Sequence, residues 1–259
     1  MSLEGGVIDR RRADAPPIFR RRQLRLIRED DPAMIGSTPP VGKRRKRLQC
    51  GCGNRLRKLE TLENRRLLTT YTVTNLDDAG DGSRRSAILA ANDSPGADRI
   101  RFANDVHGTI ELTSGQLEIH DDLRIDGPGT KALSISGGGN SRVFLVDGVK
   151  VDLRGLTITE GMATDLPIPL PPDSPSFSEG GGLLSLSGKV TLRDVHVTDN
   201  QSVDGVFGLG GGVASLFGAA LTVRNCQFRE NFARGFAIGG GGGAIHSDAQ
   251  STLTLVATP

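Results

Sequence analysis

Three stretches decide the fold: VDLRGLTITEG (Val151–Gly161), VTLRDVHVTDN (Val190–Asn200) and LTVRNCQFREN (Leu221–Asn231). They align without a gap, at intervals of 39 residues (151 to 190) and 31 residues (190 to 221). Within each copy the apolar residues fall at i, i+2, i+5 and i+7: Val151, Leu153, Leu156, Ile158; Val190, Leu192, Val195, Val197; Leu221, Val223, Cys226, Phe228. A period of two belongs to a strand with one buried face. The single three-residue step spends one extra residue outward, so it predicts a bend between two short strands. A helix would repeat at three and four, which this pattern does not do. Repeats of this length point to a stacked array in which each copy buries its apolar row on its neighbours.

Outward from the copies, glycine runs precede the second and third (Gly180–Gly182, Gly210–Gly212), and Gly239–Gly243 precedes TLTLVATP (252–259). Glycine suits tight corners that need φ > 0. Upstream, Leu117, Ile119, Leu123 and Ile125 alternate, as do Leu133 and Ile135, then Val143 and Leu145. The expectation is an all-β, right-handed parallel β-helix (solenoid) across 103–259, with about five or six coils from residue 100 onward. The segment ATDLPIPLPPDSPSFSE (163–179) is Pro-rich and cannot join a central ladder, so it is read as a projecting loop. TLTLVATP stops before its bend, which suggests a partial β-helix with a bare apolar end able to self-associate.

Before the repeats, residues 71–102 read YTVTNLDDAGDGSRRSAILAANDSPGADRIRF. They predict a strand, a turn, a helix from an N-cap at Ser83 to about Asn92 with Ala87, Ile88 and Ala91 on its apolar face, and a second strand. The block resembles the leader of CSLREA-type β-helix proteins, roughly TVTNxxDxGxGSLRxAIxxANxxPGxDxIxF. The resemblance implies a short helix capping the first coil. In place of the usual Leu-Arg-x-Ala stands Arg84-Arg85-Ser86-Ala87, so one apolar contact of that helix is lost. The repeats as a whole resemble the pectin-lyase-like right-handed β-helix superfamily, which spans lyases, hydrolases, adhesins and spike proteins. Further upstream, LETLENRRLL within 59–70 resembles the LExLExRxLL segment near the N-terminus of planctomycete surface and secreted proteins. That resemblance, together with the fold, implies an extracellular or cell-surface location.

The composition is split by charge. Residues 1–70 hold 18 Lys+Arg and 8 Asp+Glu, a net of +10; the rest hold 14 and 22, a net of −8. Residues 1–58 are Arg- and Pro-rich without periodicity and read as a disordered basic tail. Such a tail suits an anionic polymer or surface. It lacks the interleaved aromatics and motifs of nucleic-acid binding, which is disfavoured. No run of about 18 apolar residues exists to span a membrane, and the ordinary apolar core of a secretory signal is missing from residues 1–30. Cys50 and Cys52 are too close for an unstrained pair and lack partners for a zinc site.

Cys226 takes an inward position in its copy and reads as a buried core thiol, and His196 takes an outward one. Asn200 and Asn231 share a place just past the second strand and predict a stacked hydrogen-bonded ladder. Acid–base cleavage of polysaccharide needs a carboxylate pair. Asp121, Asp122 and Asp126, with His120 beside them around one bend, are the candidates for it, whereas a lyase would set Asp121, Asp122 and Asp147 against Arg124 or Arg154 as the basic residue. Asp121, Asp122 and Asp147 are the candidates for calcium, which favours hard oxygen ligands. No other cofactor is expected. The GHG, NTD and RIK elements of pectin-degrading hydrolases are absent, and Asp77, Asp78 and Asp81 lack the glutamate that would close a calcium loop. The lead expectation is therefore a non-enzymatic module for adhesion, envelope structure or contact with polysaccharide or cell-envelope glycan. The rival is a polysaccharide lyase or glycoside hydrolase.

Overall fold

The apolar spacing of the three copies becomes strand pairing without a shift. In a computed structural model, Lys150–Thr159, Lys189–Thr198 and the pair Ala220–Arg224 with Gln227–Arg229 lie side by side. Val151 pairs with Val190, and Val190 with Leu221. Leu156 faces Val195, and Ile158 faces Val197. The structure describes residues 68–163, 177–203, 207–235 and 240–256, all within the unit Glu60–Pro259. The basic tail (1–58), most of the 59–70 segment and most of the Pro-rich 163–179 stretch lie outside the described residues.

Among the described residues every strand pairing is parallel, so this is an all-β parallel architecture with one short helix. The main sheet runs from Thr70–Val73 through Asp98–Phe102, Leu123–Asp126, Lys150–Thr159, Lys189–Thr198 and Ala220–Arg224 to Thr252–Val256. Between two visits to it the chain crosses three smaller sheets. After Lys189–Thr198 it passes Gln201–Ser202, Phe207–Leu209 and Val213–Leu216, each in a different sheet, and re-enters at Ala220. The earlier circuits are less regular because the long strand is split. Leu123–Asp126 and Leu133–Ser136 pair with the two halves of Lys150–Thr159, and the DGPG turn bulges between them.

Parallel stacking in register places like residues on like residues. Val151, Leu153, Leu156, Ile158, Val190, Leu192, Val195 and Val197 have no exposed surface. Each such side chain contributes roughly 1.5–3 kcal/mol before the entropy cost. Two expectations need correction. Leu145 faces away from the main core, and its neighbours Phe144 and Val146 fill it instead. Leu145 joins Leu184, Leu186, Ala214 and Leu216 in a second apolar cluster, so this strand row is buried on both faces. Cys226 packs on the core but is only half-buried: the strand that follows it, Gln227–Arg229, pairs on one side alone among the described residues.

The corners stack as faithfully as the core. Left-handed backbone recurs at Gly155, Asp194 and Asn225 (φ 57°, 52° and 48°), where the spacing required a bend, and again at Glu160, Asp199 and Glu230. A further corner is held by Gly180, Gly210 and Gly242. A Cβ there would sit 2.4, 2.4 and 2.2 Å from the carbonyl oxygens of Leu183, Val213 and Ile245. No side chain fits such a gap, which accounts for the glycine runs. The expected asparagine ladder forms beside the second corner. Asn200 is fully buried; its Nδ2 donates to the Ile158 and Thr198 carbonyls and to Asn231 Oδ1, and its Oδ1 accepts from Gly161 N.

The helix spans Arg84–Asp93, with the Ser83 hydroxyl accepting from Ser86 N as expected of an N-cap. It contacts the strands Thr70–Val73, Asp98–Phe102 and Leu117–Ile119 with Ala87, Ile88 and Ala91 buried. Arg84 does not swing out to solvent; it is buried with them.

Two stability predictions follow from the buried polar groups. Asn200→Ala leaves several buried backbone groups unpaired, at about 1–3 kcal/mol each, so denaturant unfolding should show a loss of roughly 3 kcal/mol, larger than for the half-buried Asn231→Ala. Glu179 is 4% exposed, with Oε2 buried and unpartnered. Burial pushes its pKa up to about 7, against the pull of Arg142 and with help from Asp248. An acid that holds its proton more tightly when folded loses stability as pH rises, here from about 4.5 to 7. Glu179→Gln should remove that slope, matching wild type in Tm at pH 4.5 and exceeding it at pH 8.

Candidate functional site

The carboxylates singled out in the sequence take different partners. Asp121 closes a turn: its Oδ2 accepts from Gly96 N at 2.9 Å and its Oδ1 from Asp122 N at 2.7 Å. Asp122 Oδ1 accepts from Lys150 N at 2.8 Å. Asp126 lies on the outward face of the main sheet, paired with Arg99 and Arg124. Burial works against its charged form, but the two guanidiniums outweigh it and hold the carboxyl below its ordinary range. Asp147 is exposed at the end of Phe144–Asp147. Among the described residues no group of three or more His, Cys, Asp or Glu side chains is gathered as a metal site. Asp78 is also a turn residue, accepting from Thr113 N, Ser114 N and Arg85.

Asp147 falls instead into a groove that the sequence reading missed. Its volume is about 480 Å³, and Glu118, His120, Leu145, Asp147, Leu186 and Phe217 are among its lining residues. Pairing of Ile119 with Val146 brings His120, just past the strand Leu117–Ile119, to the same groove as Asp147. Glu118 Oε2 lies 3.4 Å from His120 Nε2, and Oε1 accepts from Gln116 at 3.0 Å. The Gln116 hydrogen bond, opposed by burial and aided by His120, lowers the Glu118 pKa. The signal was present: period two in Leu117–His120 puts Glu118 and His120 on one face, opposite the buried Leu117 and Ile119.

The larger feature is the outward face of the main sheet. Arg154, Arg193 and Arg224 stack in register, one per strand, about 4.8 Å apart. Beside them run Asp152, Thr191, Thr222 and Thr254, also in register. Lys150 and Lys189 form a third row. Positive charge exceeds negative here. Asp126 is shared by Arg99 and Arg124, and Asp152 by Arg154 and Arg193, the latter at 3.6 Å. The Asp152 hydrogen bond raises the Arg154 pKa. Among the described residues Arg224, Arg229 and Lys189 have no carboxylate partner. Asp194, at the corner, is hydrogen-bonded to Asn225. The arginine row was readable as the same position in all three copies, after Leu153, Leu192 and Val223, but only Arg154 and Arg124 drew notice.

A planar guanidinium offers a fork of donors that matches carboxylate or sulfate groups, and the threonine hydroxyls add donors and acceptors to a flat, rigid row. No protein-family model matches the chain, and no curated protein sequence matches it.

Asp126→Asn should lower Tm at pH 7 by roughly 2–4 °C, as expected for about 1 kcal/mol in a domain of this size. A carboxyl whose folded pKa is depressed stabilises above its unfolded value of about 3.9, and this is lost as pH falls through the folded value. Thermal scans of wild type and variant should therefore converge as pH drops below 4.

Proposed function

We propose that the described circuits form a right-handed parallel β-helix, and that it is a non-enzymatic secreted or cell-surface module that holds acidic glycan chains on the outward face of its main sheet. Right-handedness follows from the general rule for crossovers between parallel strands of one sheet, and the repeats' resemblance to the pectin-lyase-like superfamily agrees with it. The observation that carries the binding reading is the Arg154–Arg193–Arg224 row, in which Asp152 is already shared by Arg154 and Arg193 while, among the described residues, Arg224, Arg229 and Lys189 have no carboxylate partner. The body from residue 71 onward is net −8, so a basic face on it is a segregation of charge rather than a general property of the surface. A surface location rests on the LETLENRRLL and leader resemblances; cell fractionation of the full-length protein should place it outside the cytoplasm. No helix among the described residues is long and apolar enough to cross a membrane.

A second reading is favoured by one specific arrangement, the groove in which Glu118, His120 and Asp147 meet an apolar wall. It supplies two carboxylates and a histidine for a polysaccharide lyase or glycoside hydrolase.

Titration with polygalacturonate, heparin and neutral dextran separates these readings. The platform reading expects binding of the two acidic polymers that weakens with salt, no binding of dextran, and at least a tenfold loss in Arg193→Gln/Arg224→Gln. Equal binding of dextran, or an unchanged double variant, contradicts it. Release of reducing or unsaturated sugar would establish the enzyme reading instead. Loss of that activity in Glu118→Gln or in Asp121→Ala/Asp122→Ala would then assign the carboxylates.

A further inference from the structure

The helix Arg84–Asp93 covers the first strands with a face that is not wholly apolar. Arg84 has no exposed surface, and its Nε, Nη1 and Nη2 are all buried without a hydrogen-bond partner. Among the described residues its specific contact is with the Phe144 ring, 4.5 Å from Cζ to the centroid. A guanidinium removed from water without a carboxylate or carbonyl to replace it is costly, and a cation–π contact recovers only part of that cost. Burial, and then the neighbouring Arg85 charge, pull its pKa down to about 9 although Asp78 opposes them.

The other anchors of the helix are of a kind that water can replace. Arg85 binds Asp78 and the Gly115 and Gln116 carbonyls. Tyr71 donates to the Ala90 carbonyl, and Asn92 bridges Glu118 O and His120 N. All are only partly buried or exposed. The apolar anchors are Ile88 and two alanines, Ala87 and Ala91, a small area beside the stacked valine and leucine rows below. Opening the helix would lose these contacts but return Arg84 to water, and the strand stack would keep every one of its ladder pairings.

We propose that Arg84 makes this helix a detachable lid, which opens as a unit and transiently bares Phe144 and the first strands while the main sheet stays folded. Subglobal opening of this type is visible as hydrogen exchange faster than global unfolding allows. The test is hydrogen–deuterium exchange of the full-length protein at pH 7, comparing wild type with Arg84→Met and Arg84→Leu. The amides of Ile88–Asp93 in wild type should exchange at least 100-fold faster than those of Lys150–Thr159. Both variants should slow the helix amides at least tenfold and leave the Lys150–Thr159 amides within about twofold. Helix amides as slow as those of Lys150–Thr159 in wild type would overturn the proposal. So would variants that both leave helix exchange unchanged or quicken it.

Discussion

A chain that returns to the same strand position in every repeat must turn at the same residue each time. Parallel pairing tolerates no drift, because a one-residue slip would throw a whole valine and leucine row to the outside. The left-handed corners enforce this constraint. Gly155, Asp194 and Asn225 turn the long strand at one level, Glu160, Asp199 and Glu230 at the next, and Gly180, Gly210 and Gly242 at a third. Asn200 and Asn231 then tie the second corner across repeats through side-chain bonds to backbone. Core, corners and ladder are three consequences of one register.

That register also makes the outward face what it is. Once Leu153, Leu192 and Val223 are pinned inward, the next residue of each copy must point out, and in every copy it is an arginine. The charged row therefore needs no device of its own. Its orientation is inherited from the core, and its spacing from the strand ladder. The two aspartates on the same face pair with the earlier arginines, Arg99, Arg124, Arg154 and Arg193, and among the described residues Arg224 has no carboxylate partner.

The strand rows were legible because period-two burial is written directly in residue type. The glycine corner was legible because its runs recur, and the structure supplies the reason in the carbonyl that crowds each Cβ. The other corners were less so: Asp194 and Asn225 belong to residue types that tolerate left-handed backbone, but Glu160 and Glu230 carry no such mark. Leu145 was misread because VFLV, buried on both faces, has no period to read. Closeness in sequence around one bend grouped Asp121, Asp122 and Asp126, and in the structure they take different backbone or guanidinium partners. Glu118, His120 and Asp147 meet only through strand pairing, which joins residues far apart in the chain.

The central claim is that each repeat advances the main sheet by one strand, in fixed register. Spin labels on the outward row test it directly, using pairs of cysteines at Lys150, Lys189 and Thr252, which stack in register and in which Cys50, Cys52 and Cys226 are replaced by serine. Electron paramagnetic resonance should give label separations that rise in steps of about 4.8 Å per strand, with 150–189 shortest, 189–252 intermediate and 150–252 longest. A 150–252 separation no greater than that of 150–189 would contradict the account.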